Sequence, residues 1–126
     1  MKVLIDTSVW VDHFKNSNAK LIELITADMA LTHPMVLVEL ACGTPPAPRS
    51  QTLSDIGLLQ QSVQASTAEV IQLIEREKLY GLGCGLVDIS LLASTLLTPG
   101  ASLWTLDKRL AVMAERFSVA FTPNRH

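Results

Sequence analysis

Short apolar runs alternate with longer stretches of helical periodicity along this chain, and that alternation leaves few folds open. The first run, Val3 to Ile5, is β-branched at both ends and stops at Asp6-Thr7-Ser8, three residue types that begin helices. A short helix to about Phe14 follows, then a break at Asn16-Ser17-Asn18 and a second helix over about 19–27. Met29 to Thr32 reads as a strand, and Pro34 opens a helix that Gly43 stops. After the loop Thr44 to Pro48, helical pattern runs over about 49–61, with a strand expected over 62–65. Ser66 and Glu69 form a capping box before a helix to about Tyr80. A helix over about 86–97, a strand over 102–105, a helix over 107–116 and a strand over 118–121 complete the order. Strands separated by helices and short loops require a mainly parallel sheet covered by helices. The expected fold class is α/β, a three-layer α/β/α arrangement in one domain over 1–126.

Composition narrows the function classes. The chain has 126 residues, 48% of them hydrophobic, enough for a core without covalent staples. Cys42 and Cys84 stand far apart with no CxxC and are read as free thiols of a reducing cytosol. Asp6 interrupts the opening apolar run too early for a signal peptide, and no window approaches the ~18 apolar residues of a membrane helix. A soluble, cytoplasmic protein with no membrane partner is expected.

Net charge is −2, so no basic field advertises nucleic acid, although bound divalent cations would offset an acidic site. Lys15, Lys20, Arg49, Lys108, Arg109, Arg116 and Arg125 are the cations available to line a phosphate path. Gly81-Leu82-Gly83-Cys84-Gly85 has the wrong spacing for a phosphate-binding loop and no strand before it. It reads as a helix terminator and connector.

In a parallel α/β sheet, ligands gather beyond the carboxyl ends of the strands. Asp6 ends the first strand, Asp107 follows the strand over 102–105, and Asp88 lies in the first turn of a helix starting at the same edge. Glu39, mid-helix, is placed to reach them. Each Asp alone would serve as a cap or first-turn acid; together they ask for a cation. Two carboxylates ~4 Å apart repel by about 4 kcal/mol at an effective dielectric of ~20, and a hard ion with oxygen ligands removes that conflict. Mg²⁺ or Mn²⁺ is the natural occupant, because His13, His33 and His126 lack the spacing of zinc or iron ligands. An all-oxygen site points to phosphate chemistry, in which an ion activates water and holds the scissile phosphate. Thr105 and Ser8 can hydrogen-bond a ligating carboxylate or that water.

Four segments, LIDTSVWVD at the start, VELACG around Glu39, VDISLLAS around Asp88 and LWTLDKRL around Asp107, together resemble the PIN-domain family. Within it they are most similar to VapC-type toxins of bacterial toxin–antitoxin pairs. The resemblance implies strand order 3-2-1-4-5 and a Mg²⁺- or Mn²⁺-dependent endoribonuclease. Its acidic centre would be Asp6, Glu39, Asp88 and Asp107, with Thr105 as polar neighbour. It also implies a homodimer, a VapB-type antitoxin as partner, and structured RNA such as tRNA as substrate. The proline-rich TPPAP and glycine-rich GLGCG segments depart from the family pattern on the substrate-facing surface.

A phosphoacceptor receiver domain shares the length and sheet order. It wants adjacent acids after its first strand, where Ile5 precedes Asp6, and a lysine after its last strand, where Thr122-Pro123 stand. A haloacid-dehalogenase-like phosphatase wants D-x-D, and position 8 is Ser. A catalytically inactive PIN-like binding scaffold is the remaining alternative, disfavoured by the presence of all four acids.

Overall fold

The computed structural model describes residues 1–123; Arg125 and His126 lie outside the described residues. Its elements are β1 (Lys2–Ile5), α1 (Thr7–Asn16), α2 (Ala19–Thr26), β2 (Ala30–Leu31), α3 (Pro34–Cys42), α4 (Arg49–Gly57), α5 (Thr67–Glu77), α6 (Leu86–Leu97), β3 (Ala101–Trp104) and α7 (Lys108–Arg116). The chain is thus an α/β protein with a parallel sheet of order β2-β1-β3. Val3 pairs with Ala30 on one side and with Ser102 on the other, so β1 is enclosed. That placement explains its sequence. A strand covered on both faces and both edges has no side for water, and Val3, Leu4 and Ile5 are all fully buried.

The outer strands differ from expectation. Neither 62–65 nor 118–121 forms a strand: a single parallel bridge joins Gln61, just before the first, to Thr32, and another joins Ala120 to Leu103. The reason lies in competing partners for the backbone. The Val63 amide donates to Thr98 Oγ1 and the Ala65 amide to Ser94 Oγ, both side chains of the α6 region. At the other flank, Ser118 sits at φ 60°, bending the chain just before it meets β3. Two helices also stop earlier than expected. α4 closes at Leu58, whose amide bonds back to Ser54 and Asp55, and α5 closes on Lys78 in a left-handed conformation.

Local signals elsewhere act as written. Ser66 and Glu69 make both bonds of the capping box, at 3.1 and 2.8 Å. Asn18 caps α2 through the Leu21 amide. His33 caps α3 in an unusual way: its Nδ1 accepts from the Met35 amide at 3.1 Å, and Nε2 lies 3.1 Å from Ser94 Oγ. α6 is the most enclosed helix, buried at seven consecutive positions from Ile89 to Thr95. Its interior polar groups are provided for, since Thr95 Oγ1 donates to the Leu91 carbonyl and Ser94 Oγ serves His33 and Ala65. α6 therefore carries Asp88 on the end of a fixed rod.

Candidate active site

Asp6 is the anchor. Its amide donates to the Trp104 carbonyl at 2.9 Å, so the residue continues the β1–β3 ladder by one step, and its side chain is 5% exposed. Three donors converge on one oxygen, Oδ2: Ser8 Oγ at 2.6 Å, Thr105 Oγ1 at 2.8 Å and the Ser8 amide at 3.4 Å. The two hydroxyls are themselves held. Ser8 Oγ accepts from the Leu106 amide at 2.9 Å and Thr105 Oγ1 from the Asp107 amide at 3.0 Å. The start of α1 and the loop after β3 are thereby locked across nearly the whole length of the chain.

Asp107 caps α7, its Oδ1 accepting from the Arg109 and Leu110 amides at 2.9 and 3.2 Å. Asp88 stands in the first turn of α6, and its Oδ2 accepts from the Gly85 amide at 3.4 Å. Burial pushes the Asp88 carboxyl above the ordinary range; the Gly85 amide opposes that, and the charges of Asp6 and Asp107 add to the upward push. The three aspartates therefore share one electrostatic neighbourhood. Glu39, exposed on α3, joins through a contact the sequence reading did not anticipate. Its Oε1 accepts from Thr7 Oγ1 at 2.6 Å, and Thr7 is the residue after Asp6. Thr7 was legible only as a helix-capping type, since nothing local says which carboxylate its hydroxyl meets.

A common pattern emerges from these bonds. Each of the four acids commits one oxygen to the fold, and among the described residues no hydrogen bond reaches the other: Asp6 Oδ1, Glu39 Oε2, Asp88 Oδ1 and Asp107 Oδ2. Four uncommitted carboxylate oxygens suit a hard divalent cation. They do not form a closed cage as they stand, because no three His, Cys, Asp or Glu side chains among the described residues group closely enough to hold an ion. The donor chemistry fits the ion; the spacing is more open than a finished coordination shell.

The glycine-rich segment lies within the electrostatic reach of Asp88 and Asp107. Gly83, at φ +84°, lies against the Arg109 side chain so closely that a Cβ there would sit 2.7 Å from Nη1. Cys84 beside it has its thiol pushed up by burial, then by the charges of Asp88 and Asp107, with Arg109 acting the other way. Several cations considered for a phosphate path serve the fold instead. Arg49 donates to the Ala41 and Gly43 carbonyls, Arg116 pairs with Glu77 at 3.2 Å, and Lys20 pairs with Glu23. Lys15, Lys108 and Arg109 make no ion pair among the described residues.

Comparison with known proteins identifies the family. The PIN domain family matches residues 3–116. Ribonuclease VapC32 of Mycobacterium tuberculosis, from the CDC 1551 / Oshkosh strain and equally from H37Rv, is 42% identical over 118 residues, covering 94% of each chain. Matched along nearly all its length on both counts, the chain belongs to the PIN-domain family, in its VapC branch.

Proposed function

We propose that the chain is a Mg²⁺- or Mn²⁺-dependent endoribonuclease, the toxin of a VapBC-type pair, acting as one domain over 1–126. The observation that carries this reading is the division of labour at the four acids, one oxygen of each used by the fold and one left over. Asp6, Glu39, Asp88 and Asp107 would hold the ion. When bound, it supplies Lewis acidity that lowers the pKa of a water and neutralises charge on the scissile phosphate. The remaining work falls to the protein. Ser8 and Thr105 fix the Asp6 carboxylate in one rotation, Thr7 does the same for Glu39, and the buried rod of α6 holds Asp88 at a constant depth. Family membership removes the receiver-domain reading.

The single bridges at Gln61 and Ala120, on the outer sides of β2 and β3, support the full order 3-2-1-4-5. Cytoplasmic residence is supported by two free thiols, and no described helix is long and apolar enough to cross a membrane. A VapB-type antitoxin and a second copy of the chain are the partners proposed. Exposed Leu82, Leu86, Leu106 and Val112 offer them apolar surface. The RNA substrate, tRNA among the structured candidates, would be cut so that translation stops.

The test is incubation of the purified, partner-free protein with total RNA, with and without Mg²⁺ or Mn²⁺, beside Asp6→Asn. Discrete fragments that need the ion and vanish in the variant are expected. Cleavage that survives in the variant would refute the site assignment, and cleavage in EDTA would refute metal dependence.

A further inference from the structure

His33 is buried where β2 turns into α3. Its Nδ1 accepts from the Met35 amide at 3.1 Å. An amide N–H can only donate, so Nδ1 is the unprotonated nitrogen, the ring is neutral, and its proton sits on Nε2. Nε2 therefore donates to Ser94 Oγ at 3.1 Å. Ser94 is fully buried in α6 and accepts the Ala65 amide on the same oxygen at 3.0 Å.

Capping α3 does not by itself call for histidine. Ser, Thr, Asp or Asn fills that role with one acceptor. What those types lack is a second ring nitrogen, and here it reaches another helix. The two helices so joined are the ones that carry two acids of the candidate site. Glu39 lies six residues after His33 on α3, and Asp88 six residues before Ser94 on α6. Each acid is thus ~9 Å along its helix from the joint. α3 packs chiefly on α1 and α4, and among the described residues the His33–Ser94 bond is the single hydrogen bond between the α3 segment and α6. A tilt of α3 by about 5° at this joint would move the backbone at Glu39 by ~0.8 Å, whereas metal–oxygen distances tolerate about 0.2 Å.

We propose that His33 is a positioning residue for the acidic centre: its neutral, doubly bonded ring sets the helix that carries Glu39 against the helix that carries Asp88. Thr7 holds the end of the Glu39 side chain, and His33 holds the helix from which that side chain hangs. The inference rests on the reading of Glu39 and Asp88 as ligands of a divalent ion and adds a residue that touches neither the ion nor the acids.

The experiment titrates Mn²⁺ by calorimetry into the parent, His33→Asn, Ser94→Ala, Glu39→Gln and His33→Asn/Glu39→Gln. His33→Asn keeps an acceptor for the Met35 amide and loses the reach to Ser94; Ser94→Ala cuts the same bond from the other side. Each is expected to raise the Mn²⁺ Kd about 10-fold, the lower end of the effect of groups that orient metal ligands. In the Glu39→Gln background His33→Asn should leave Kd within about 2-fold, because the ligand that the joint positions is already gone. General damage to the fold would carry into that background undiminished. A long-range ¹H–¹⁵N spectrum of the metal-free parent should place the His33 proton on Nε2. A parent-like Kd in either His33→Asn or Ser94→Ala, an equal loss in the Glu39→Gln background, or a proton on Nδ1 would each overturn the proposal. A parent-like Kd in Glu39→Gln itself would overturn the reading of Glu39 as a ligand, and the proposal with it.

Discussion

Thr105→Val removes one hydroxyl and leaves the shape, and its consequences follow from the bonds around Asp6. The Thr105 hydroxyl donates to Asp6 Oδ2 at 2.8 Å and accepts from the Asp107 amide at 3.0 Å. A hydrogen bond to a charged acceptor contributes about 1.5–3 kcal/mol. Ser8 still donates to the same oxygen at 2.6 Å, so the lower part of that range applies. Asp107 is exposed, and its amide regains water at small cost. The expected loss is about 2 kcal/mol, which for a domain of this size lowers Tm by roughly 6–8 °C. Because the hydroxyl orients the proposed ligand Asp6 rather than touching the ion, metal affinity should fall about 10- to 100-fold. Removing Ser8's hydroxyl as well strips Oδ2 of both side-chain donors, so Ser8→Ala/Thr105→Val should lose more than the sum of the single changes. Thermal melts and Mn²⁺ titration calorimetry on the four proteins measure both quantities. Tm within about 2 °C of the parent, with unchanged metal affinity, would refute the reasoning, since Asp6 would then be held by the backbone alone.

Three further outcomes are expected. Asp88→Asn should abolish cleavage yet raise stability slightly near neutral pH, where the partly buried carboxyl is otherwise charged. A carboxyl whose pKa is raised on folding contributes stability at low pH that is lost as pH rises, so removing its charge helps at pH 7, and a Tm below the parent's would contradict this. His33 titrates in the opposite sense. Burial lowers its pKa, so the unfolded chain takes the proton first as pH falls through about 6.5, and stability declines from there to the folded pKa. His33→Asn, which keeps a capping acceptor, should flatten that part of the Tm–pH curve; an unaltered curve would assign the loss elsewhere. Gly83→Ala places a Cβ against Arg109 at a positive φ and should cost about 1 kcal/mol, seen in urea denaturation, with an unchanged midpoint counting against the contact.

The helices were legible because their signals are local. The Ser66–Glu69 box, the Asn18 cap and the Pro34 start all operate within a few residues. The segment at 62–65 has the pattern of a strand but does not form one, because its amides are claimed by Ser94 and Thr98, about thirty residues away, which no periodicity in the segment records. The same divide runs through the site. Asp6 and Asp107 announce themselves by following apolar runs and starting helices, and Asp88 by its place in a first turn. Glu39 lies in the middle of a helix, and what ties it to the others, the Thr7 hydroxyl, belongs to a different element.

The order in which β1 and β3 are joined has a consequence for synthesis. β1 is made first, yet it is the central strand, and its neighbour β3 arrives only at residues 101–104. The Thr105 bond to Asp6 spans 99 positions, and the loop that receives Ser8 comes no sooner. A nascent chain that has passed α5 therefore holds its first acid only through Ser8, without Thr105 or the strand beside it. The acidic centre is thus the last part of the sheet edge to close, because its two long-range hydroxyl contacts both wait for the loop behind β3.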